Sequence, residues 1–487
     1  MQSNTKKTVK GLSSQTVVTI VLGLVEIISF SIMSRLLTRE DFGLFAAVTA
    51  VVSVFSSISE AGLGASIVQR KNLEKKFIDN VFSLSLIMGL TLTVALVLFS
   101  GLLSAAIAGD RIQKALLMMS VTLLLHSLSS VNISLLHRDY KLVTIGVIRV
   151  ASIVISTVVA VILAINSYGF YAIVAKAILA PLIVYVISRL CIKKTFSFRI
   201  DKVYFKDIIN FSGWFMLSRL LRNLSKQLDK LLMPKLMSVE SLGAYSRPKD
   251  FIEQMSTKIN SIFDTALFPV LSSIQNDYKR LRASLSRSFY YLNLFSTFLA
   301  LALIFCSKLI IRIFFGEDWL YLAPVFMILS IAVIFNSDGR LADCYFRSLG
   351  RTRQQFFFRI GELVSKFIGV ILGVRWGIMG VAVGVVVSES TLRILKILYI
   401  AKLIGFRSPD VLKWFYLSWQ PILFILPICV VSYTFLPDSL GADIFMALIF
   451  VLTCAVPLLF FPKIIGEKYD SELYPEVMKR VRMKINK

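Results

Sequence analysis

A chain of 487 residues that is 56% hydrophobic and 17% charged, with a mean hydropathy of +0.75, carries more apolar surface than a soluble fold can hide, so it is read as a polytopic membrane protein. Its net charge of +25 would in a soluble protein point to nucleic acid, but the cations here are spread over many polar gaps between apolar runs, which speaks against a nucleic-acid partner. Cys191, Cys306, Cys344, Cys429 and Cys454 all lie in apolar runs, no C-x-x-C occurs, and His126 and His137 are the only histidines, so neither a disulfide framework nor a zinc site is expected.

Lys6, Lys7 and Lys10 ahead of an apolar run imitate a signal peptide, but that run continues to Leu37 without an A-x-A site and reads as a first membrane helix. A span needs about 20 largely apolar residues. On that measure the expected spans are 11–37, 42–68, 77–108, 114–136, 142–165, 168–192, 207–235, 243–272, 288–314, 320–346, 356–374, 377–401, 414–436 and 440–465. The seventh and eighth are polar for lipid contact. Gaps after odd-numbered spans carry few cations, namely Arg39, Arg111, Lys114 and Arg375. Gaps after even-numbered spans are rich in them, as in Arg70, Lys71, Lys75 and Lys76, or Lys193, Lys194, Arg199, Lys202 and Lys206. This alternation places both termini in the cytoplasm and requires an even number of spans.

S-R-L-L-T-R-E-D-F-G-L-F (Ser34–Phe45) recurs as P-K-L-M-S-V-E-S-L-G-A-Y (Pro234–Tyr245) at an offset of 200 residues, with Leu36/Leu236, Glu40/Glu240 and Gly43/Gly243 identical. A repeat of that length is far longer than a solenoid unit. It follows the first span of each set of six, so the chain is expected to be all-helical, with two six-helix lobes related by a pseudo-two-fold along the membrane normal and two extra helices. The expected division is a first lobe at 1–192, an interfacial linker at 193–206, a second lobe at 207–404, helices 13 and 14 at 405–465, and a basic cytoplasmic tail at 466–487. The linker interleaves Phe196, Phe198, Ile200, Val203, Tyr204 and Phe205 with Lys and Arg, which suits a segment in the membrane interface.

The first repeat together with S-E-A-G-L-G-A-S-I-V-Q-R-K (Ser59–Lys71) resembles the opening of polysaccharide-biosynthesis flippases of the O-antigen, exopolysaccharide and teichuronic-acid type. These belong to the multidrug/oligosaccharidyl-lipid/polysaccharide exporter superfamily. L-D-K-L-L-M (Leu228–Met233), S-L-G-A-Y-S (Ser241–Ser246) and L-F-P-V-L-S-S-I-Q-N-D (Leu267–Asp277) extend the resemblance over nearly the whole chain. Glu60 stands where the pattern often has Asp, which keeps the charge. The resemblance implies fourteen helices and no enzymatic activity. It also implies a cargo of oligosaccharide on undecaprenyl pyrophosphate, moved across the bacterial cytoplasmic membrane by alternating access, with a polysaccharide polymerase and glycosyltransferases as partners. A lipid II flippase and a cation-coupled drug exporter of the same superfamily are the alternatives. A membrane enzyme such as a sugar polymerase fits less well, because the gaps on the outer side are too short to hold catalytic groups.

Charges inside spans cost roughly 2.5–3.5 kcal/mol each and are placed toward a partner or a cavity. In the seventh span Arg219, Arg222, Lys226 and Asp229 share one face at about 100° per residue. With Arg149, Lys176, Arg247 and Lys258 this cationic set suits a pyrophosphate headgroup, since arginine binds phosphate in two-pronged fashion. The plainer reading is a salt-bridge ladder in which Asp229 neutralises Lys226 and Arg222. A like arrangement in each lobe would line one central cavity. The chain has no G-x-x-x-x-G-K-[ST] phosphate loop and no expected cofactor, so transport would draw on a proton or sodium gradient. Buried carboxylates able to couple it are Glu26, Glu60, Asp229, Asp338 and Glu389, whereas Glu362 is expected to pair with Arg359 and Lys366. Gly373, Gly377, Gly380 and Gly384 mark close helix packing, and Trp319, Tyr321, Trp414 and Tyr416 are expected as interface belts.

Overall fold

The computed structural model describes residues 18, 21–59, 64, 66–67, 73–139, 141–192, 195–274, 277–435 and 437–466. Side chains are described throughout these except at 59, 202–216, 218, 258–266, 268–270, 272–273, 352, 421, 424, 435 and 455–466. Glu60, the side chain of Lys258 and the tail from 467 onward therefore lie outside the described residues.

Among the described residues the chain is helical with no strand. The long helices are α1 (21–36), α2 (Arg39–Ser59), α3 (Lys75–Ile107), α4 (Gln113–Arg138), α5 (Leu142–Ile165), α6 (Phe170–Cys191) and α7 (Lys202–Leu236). They continue as α8 (Val239–Ser273), α9 (Tyr278–Phe305), α10 (Ala323–Ser348), α11 (Thr352–Gly373), α12 (Gly377–Leu403), α13 (Ser408–Phe435) and α14 (Leu440–Gly466). Among the described residues eight segments are long and apolar enough to cross a membrane, one of them the α11–α12 stretch Arg353–Leu403, and a ninth results if the bent pair within α13 is one span. The polar α7 and α8 are not among these, as their composition foretells.

The polar residues of the repeat are helix caps. Thr38 and Asp41 bond reciprocally at the start of α2: the Asp41 carboxylate accepts from the Thr38 N–H at 3.0 Å, and the Thr38 hydroxyl oxygen accepts from the Asp41 N–H at 3.2 Å. At the start of α8, Ser238 accepts from the Ser241 N–H at 3.0 Å. Glu40 and Glu240 stand in the first turns, where a negative charge favours the helix dipole.

The two copies of the repeat meet. A Cβ on Gly43 would lie 1.9 Å from the Val239 carbonyl oxygen, and one on Gly243 would lie 1.9 Å from the Arg39 carbonyl oxygen. Val239 is the counterpart of Arg39 at the 200-residue offset, so this contact is reciprocal, as a pseudo-two-fold requires. Around it α2 packs on α7 and α8. Elsewhere α3 packs on α4, α5 on α6 and α4 on α6, while α9 packs on α10, α10 on α12 and α11 on α12. Aromatic rings from both repeats share one core: Phe251 of α8 meets Phe30 of α1 at 5.7 Å and Phe326 of α10 at 6.0 Å.

Three expectations change in detail. The ninth span does not run to 314. Helix α9 ends at Phe305, and Ser307–Phe314 forms a separate short helix, because Lys308 bonds Asp438 while Arg312 bonds Asp443 at 2.8 Å and Glu317 at 3.1 Å at that surface. Trp319 and Trp414 are not belt residues. The first packs on Phe42 at 6.0 Å and the second on Phe406 at 4.6 Å, leaving Tyr321 and Tyr416 exposed. The close glycine pairs are Gly369 with Gly384 and Gly373 with Gly380, both across the α11–α12 hairpin, whereas Gly377 (φ 71°) makes the turn.

The linker is fixed to the helices before it. The N–H groups of Ser197, Arg199 and Asp201 donate to Asp79 (3.1 Å), Ser83 (2.7 Å) and Asn80 (2.6 Å) on α3. Phe196 stacks on Phe82 at 4.9 Å under the Arg189 guanidinium, while Phe198 and Ile200 remain exposed.

Candidate functional site

The charges of α7 are one edge of a network spanning four helices. Asp229, fully buried, contacts Lys249 of α8 and lies 3.5 Å from Lys366 of α11, and it accepts the Tyr245 hydroxyl at 2.6 Å. Lys366 also meets Glu389 of α12 at 3.0 Å, and Glu389 meets Arg393 at 2.6 Å. Toward the other side Lys249 lies 3.7 Å from Glu253, which holds Lys226 at 2.6 Å, and Lys230 holds Asp250 at 2.5 Å. A second knot closes on itself. Asp343 of α10 contacts Arg359 and lies 3.4 Å from Lys396, while Glu362 lies 2.8 Å from Arg359 and 2.5 Å from Lys396. Buried charges persist only when paired and hydrogen-bonded, and here Asp229, Glu253, Asp343, Glu362 and Glu389 each meet two cations.

The expected ladder within α7 is therefore replaced by pairing between helices. Asp229 neutralises Lys249 and Lys366 rather than Lys226 or Arg222. Glu362 keeps Arg359 but takes Lys396 in place of Lys366, whose ammonium faces Asp229 and Glu389. Asp343, Lys396 and Arg393 carry no signal in the sequence that marks them as members. Asp343 lies among Asp338, Arg340 and Arg347, and Arg393 and Lys396 follow Glu389, so only the inter-helix register shows which of these charges meet.

Among the described residues Arg222 forms no ion pair and is exposed. The charged groups around it are Arg219, Arg340 and Arg359 against the single carboxylate Asp343. The side chain of Lys226 is 48% exposed although paired. Next to them Asn223 donates to the Ser53 carbonyl at 3.4 Å, so this face of α7 lies against α2.

Among the described residues the first half shows no ion-pair network at the matching positions. At the 200-residue offset Lys226, Asp229, Lys249, Asp250 and Glu253 correspond to Glu26, Ser29, Thr49, Ala50 and Ser53. Lys176 instead donates to Ser29, whose hydroxyl lies 2.7 Å from that of Thr157, and Glu26 and Arg247 are the charges nearest it. Arg247 lies between the rings of Phe30 (3.6 Å) and Phe42 (3.7 Å) and bonds the Phe30 carbonyl at 3.2 Å. It thus joins α8 to α1 and α2. Arg149 is exposed on α5, apart from the network. Asp338 is buried on α10. Outside the spans, the Lys308 ammonium bonds Asp438 and holds its carboxyl below its ordinary range.

A profile of the family described as "Polysaccharide biosynthesis protein" matches residues 32–324. Among curated relatives, the "Lipopolysaccharide biosynthesis protein WzxC" of Escherichia coli (strain K12) is 20% identical over 88% of this chain and 87% of its own. The "Teichuronic acid biosynthesis protein TuaB" of Bacillus subtilis (strain 168) is 21% identical over 77% of this chain and 78% of its own. Among solved structures, an inward closed conformation of the "Lipid II flippase MurJ" is similar with a TM-score of 0.72 and 18% identity over 93% of this chain and 99% of that one. An inward-facing multidrug resistance MATE family transporter is similar with a TM-score of 0.66 and 13% identity over 80% of this chain and 98% of that one.

Proposed function

This chain belongs to the polysaccharide biosynthesis protein family, and we propose that it moves an oligosaccharide on undecaprenyl pyrophosphate from the inner to the outer leaflet of the bacterial cytoplasmic membrane. It is a multi-span membrane transporter of the multidrug/oligosaccharidyl-lipid/polysaccharide exporter superfamily and not an enzyme. Its relatives are named for lipopolysaccharide and teichuronic acid biosynthesis, which supports a lipid-linked sugar as cargo.

The observation that carries this reading is Arg222 of α7, exposed and without an ion pair among the described residues. Arg222 and Arg219 stand beside Arg340 with one carboxylate nearby, at a helix face against α2. A pyrophosphate supplies negative charge to Arg222, and the arginine fork matches its oxygens. In this reading residues 1–192 and 207–404 are the two lobes, with 405–465 and the tail at 466–487 outside them. Both termini face the cytoplasm, and the two lobes rock against each other. Lys226, Lys176, Arg247, Arg149 and Lys258 complete the cationic path, and a proton or sodium gradient drives turnover. A polymerase and glycosyltransferases receive and supply the cargo.

The test uses proteoliposomes carrying a fluorescent undecaprenyl-pyrophosphate oligosaccharide, with and without a proton gradient. Wild type flips the lipid, and Arg222→Ala abolishes flipping while the protein still folds, since its exposed side chain supports no packing. Efflux of a cationic dye with no flipping of any lipid-linked sugar would sink the proposal in favour of a drug exporter.

A further inference from the structure

Four interior carboxylates, Asp229, Asp343, Glu362 and Glu389, each face two cations. Asp338 faces none within ion-pair distance among the described residues, although its exposure is 0% and it sits mid-way along α10. Among the described residues its one hydrogen-bond donor is the Asn293 amide of α9, which reaches the two carboxyl oxygens at 3.2 and 3.0 Å. The other end of that amide is fixed, because the Ser418 hydroxyl of α13 donates to Asn293 Oδ1 at 2.8 Å. The neighbouring Ser296 and Ser337 hydroxyls bond each other at 2.5 Å. A carboxylate offers about four acceptor positions, and a charge buried with one shared donor is far from satisfied.

Arg393 of α12 is the charged group nearest this carboxyl. Its side chain lies against the next residue, Gly339, where a Cβ would meet Arg393 Cγ at 2.9 Å. Arg393 is held by Glu389 and keeps a buried Nη1 without a partner. The elements packed on α10 bring few other charges to this point. From α9 come Asn293 and Ser296, from α13 Ser418 and Trp419, from α12 Arg393 and beyond it Glu389, and from α11 Arg359, already bound by Asp343 and Glu362. Helix α8 meets α10 through Thr257, which accepts from Arg340 at 3.2 Å.

We infer that Asp338 is a proton-carrying site, neutral in this conformation, and that loss of its proton draws the free Nη1 of Arg393 across from Glu389. This rests on the transporter reading above and names the coupling ion and its seat. The ion is a proton because the amide presents N–H groups, not an oxygen, to the carboxyl. A metal cation there would face a donor hydrogen and too few oxygens. The step balances simply: the Asp338 O–H breaks, the proton leaves to water once α10 separates from α9 and α13, and the carboxylate gains the guanidinium. Arg393 is also the end of the chain Arg393–Glu389–Lys366–Asp229–Lys249–Glu253–Lys226. A proton at one end is thereby linked to the half-exposed ammonium at the other.

Infrared difference spectroscopy of the purified full chain across a pH step tests this without any lipid-linked sugar. The expected result is a protonated-carboxyl C=O band that disappears in Asp338→Asn and is kept in Asp338→Glu, with an unchanged thermal midpoint for the isosteric Asp338→Asn. Isotope-labelled aspartate should shift the same band in the wild type, so the assignment survives even if a variant fails to fold. Identical spectra for wild type and Asp338→Asn, or no band that moves with labelled aspartate, overturn the inference. If the wild type flips no lipid-linked sugar while the band behaves as expected, the transport reading falls and the proton site stands. If flipping is robust and the spectra are identical, the reverse holds.

Discussion

Lys366 is 1% exposed in the middle of an apolar helix, held between Asp229 at 3.5 Å and Glu389 at 3.0 Å. Removing one member of such a buried set leaves charge uncompensated, at a cost of about 3–5 kcal/mol. Lys366→Ala should therefore lower the thermal midpoint sharply, and adding Glu389→Gln to it should recover part of the loss, a non-additivity that a double-mutant cycle measures. Equal, additive losses from the two substitutions would show that the contact carries no coupling. At this scale the sequence was half legible. Arg219, Arg222, Lys226 and Asp229 of α7 are conspicuous because they interrupt an apolar run, but their partners are not. A 3.6-residue period says which side chains share a face and nothing about which neighbouring helix that face meets. That is why Glu362 was matched with Lys366, four residues on, when Lys396 of α12 stands closer.

The crossing of α2 and α8 depends on two missing side chains. A Cβ at Gly43 or Gly243 would come within 1.9 Å of a backbone oxygen, a contact that only movement of a whole helix relieves. Gly243→Val should cost about 1–3 kcal/mol or more through overpacking, seen as a lower thermal midpoint in detergent. Gly441, where nothing lies within 4 Å, is the control: Gly441→Ala should be neutral or slightly stabilising. A tolerated Gly243→Val would mean that the helices do not approach so closely. Helix positions were largely readable from apolar runs and capping residues, and α5 matches its expected bounds of 142–165. The ends that shifted are those where charge, not hydropathy, decides. Helix α9 begins ten residues early at Tyr278 and stops at Phe305, before the Lys308 and Arg312 surface pairs.

For the whole molecule, the repeat told most, because an offset of 200 residues places two equivalent helix pairs in one chain before any contact is known. It could not tell that only the second pair carries the charge network, since Ala50 and Ser53 look unremarkable until aligned with Asp250 and Glu253. The contacts at the repeat end of the bundle define what an opening motion must break. Arg39 lies 3.8 Å from Glu240, donates to the Asp318 carbonyl at 2.9 Å and stacks on Tyr321, while Glu40 holds Arg111 at 2.5 Å. If the lobes rock as proposed, a reducible crosslink between cysteines at 39 and 240, in a background with Cys191 and Cys306 replaced by serine, should arrest flipping, and reduction should restore it. Flipping that continues through the crosslink would show that these ends stay together throughout the cycle.

The pinned linker has a mechanical consequence. With the Asp201 N–H bound to α3 and α7 starting at the next residue, the linker passes into α7 without an intervening loop. Helix α7 is then a lever hinged at Asp201, and its 35 residues make an arm of about 50 Å. A turn of only about 10° at that hinge carries the far end, where Pro234 enters the repeat, through roughly 9 Å. A fixed fulcrum and a long arm convert a small local rearrangement into a displacement the size of a sugar ring, while slack in the joint would have absorbed it.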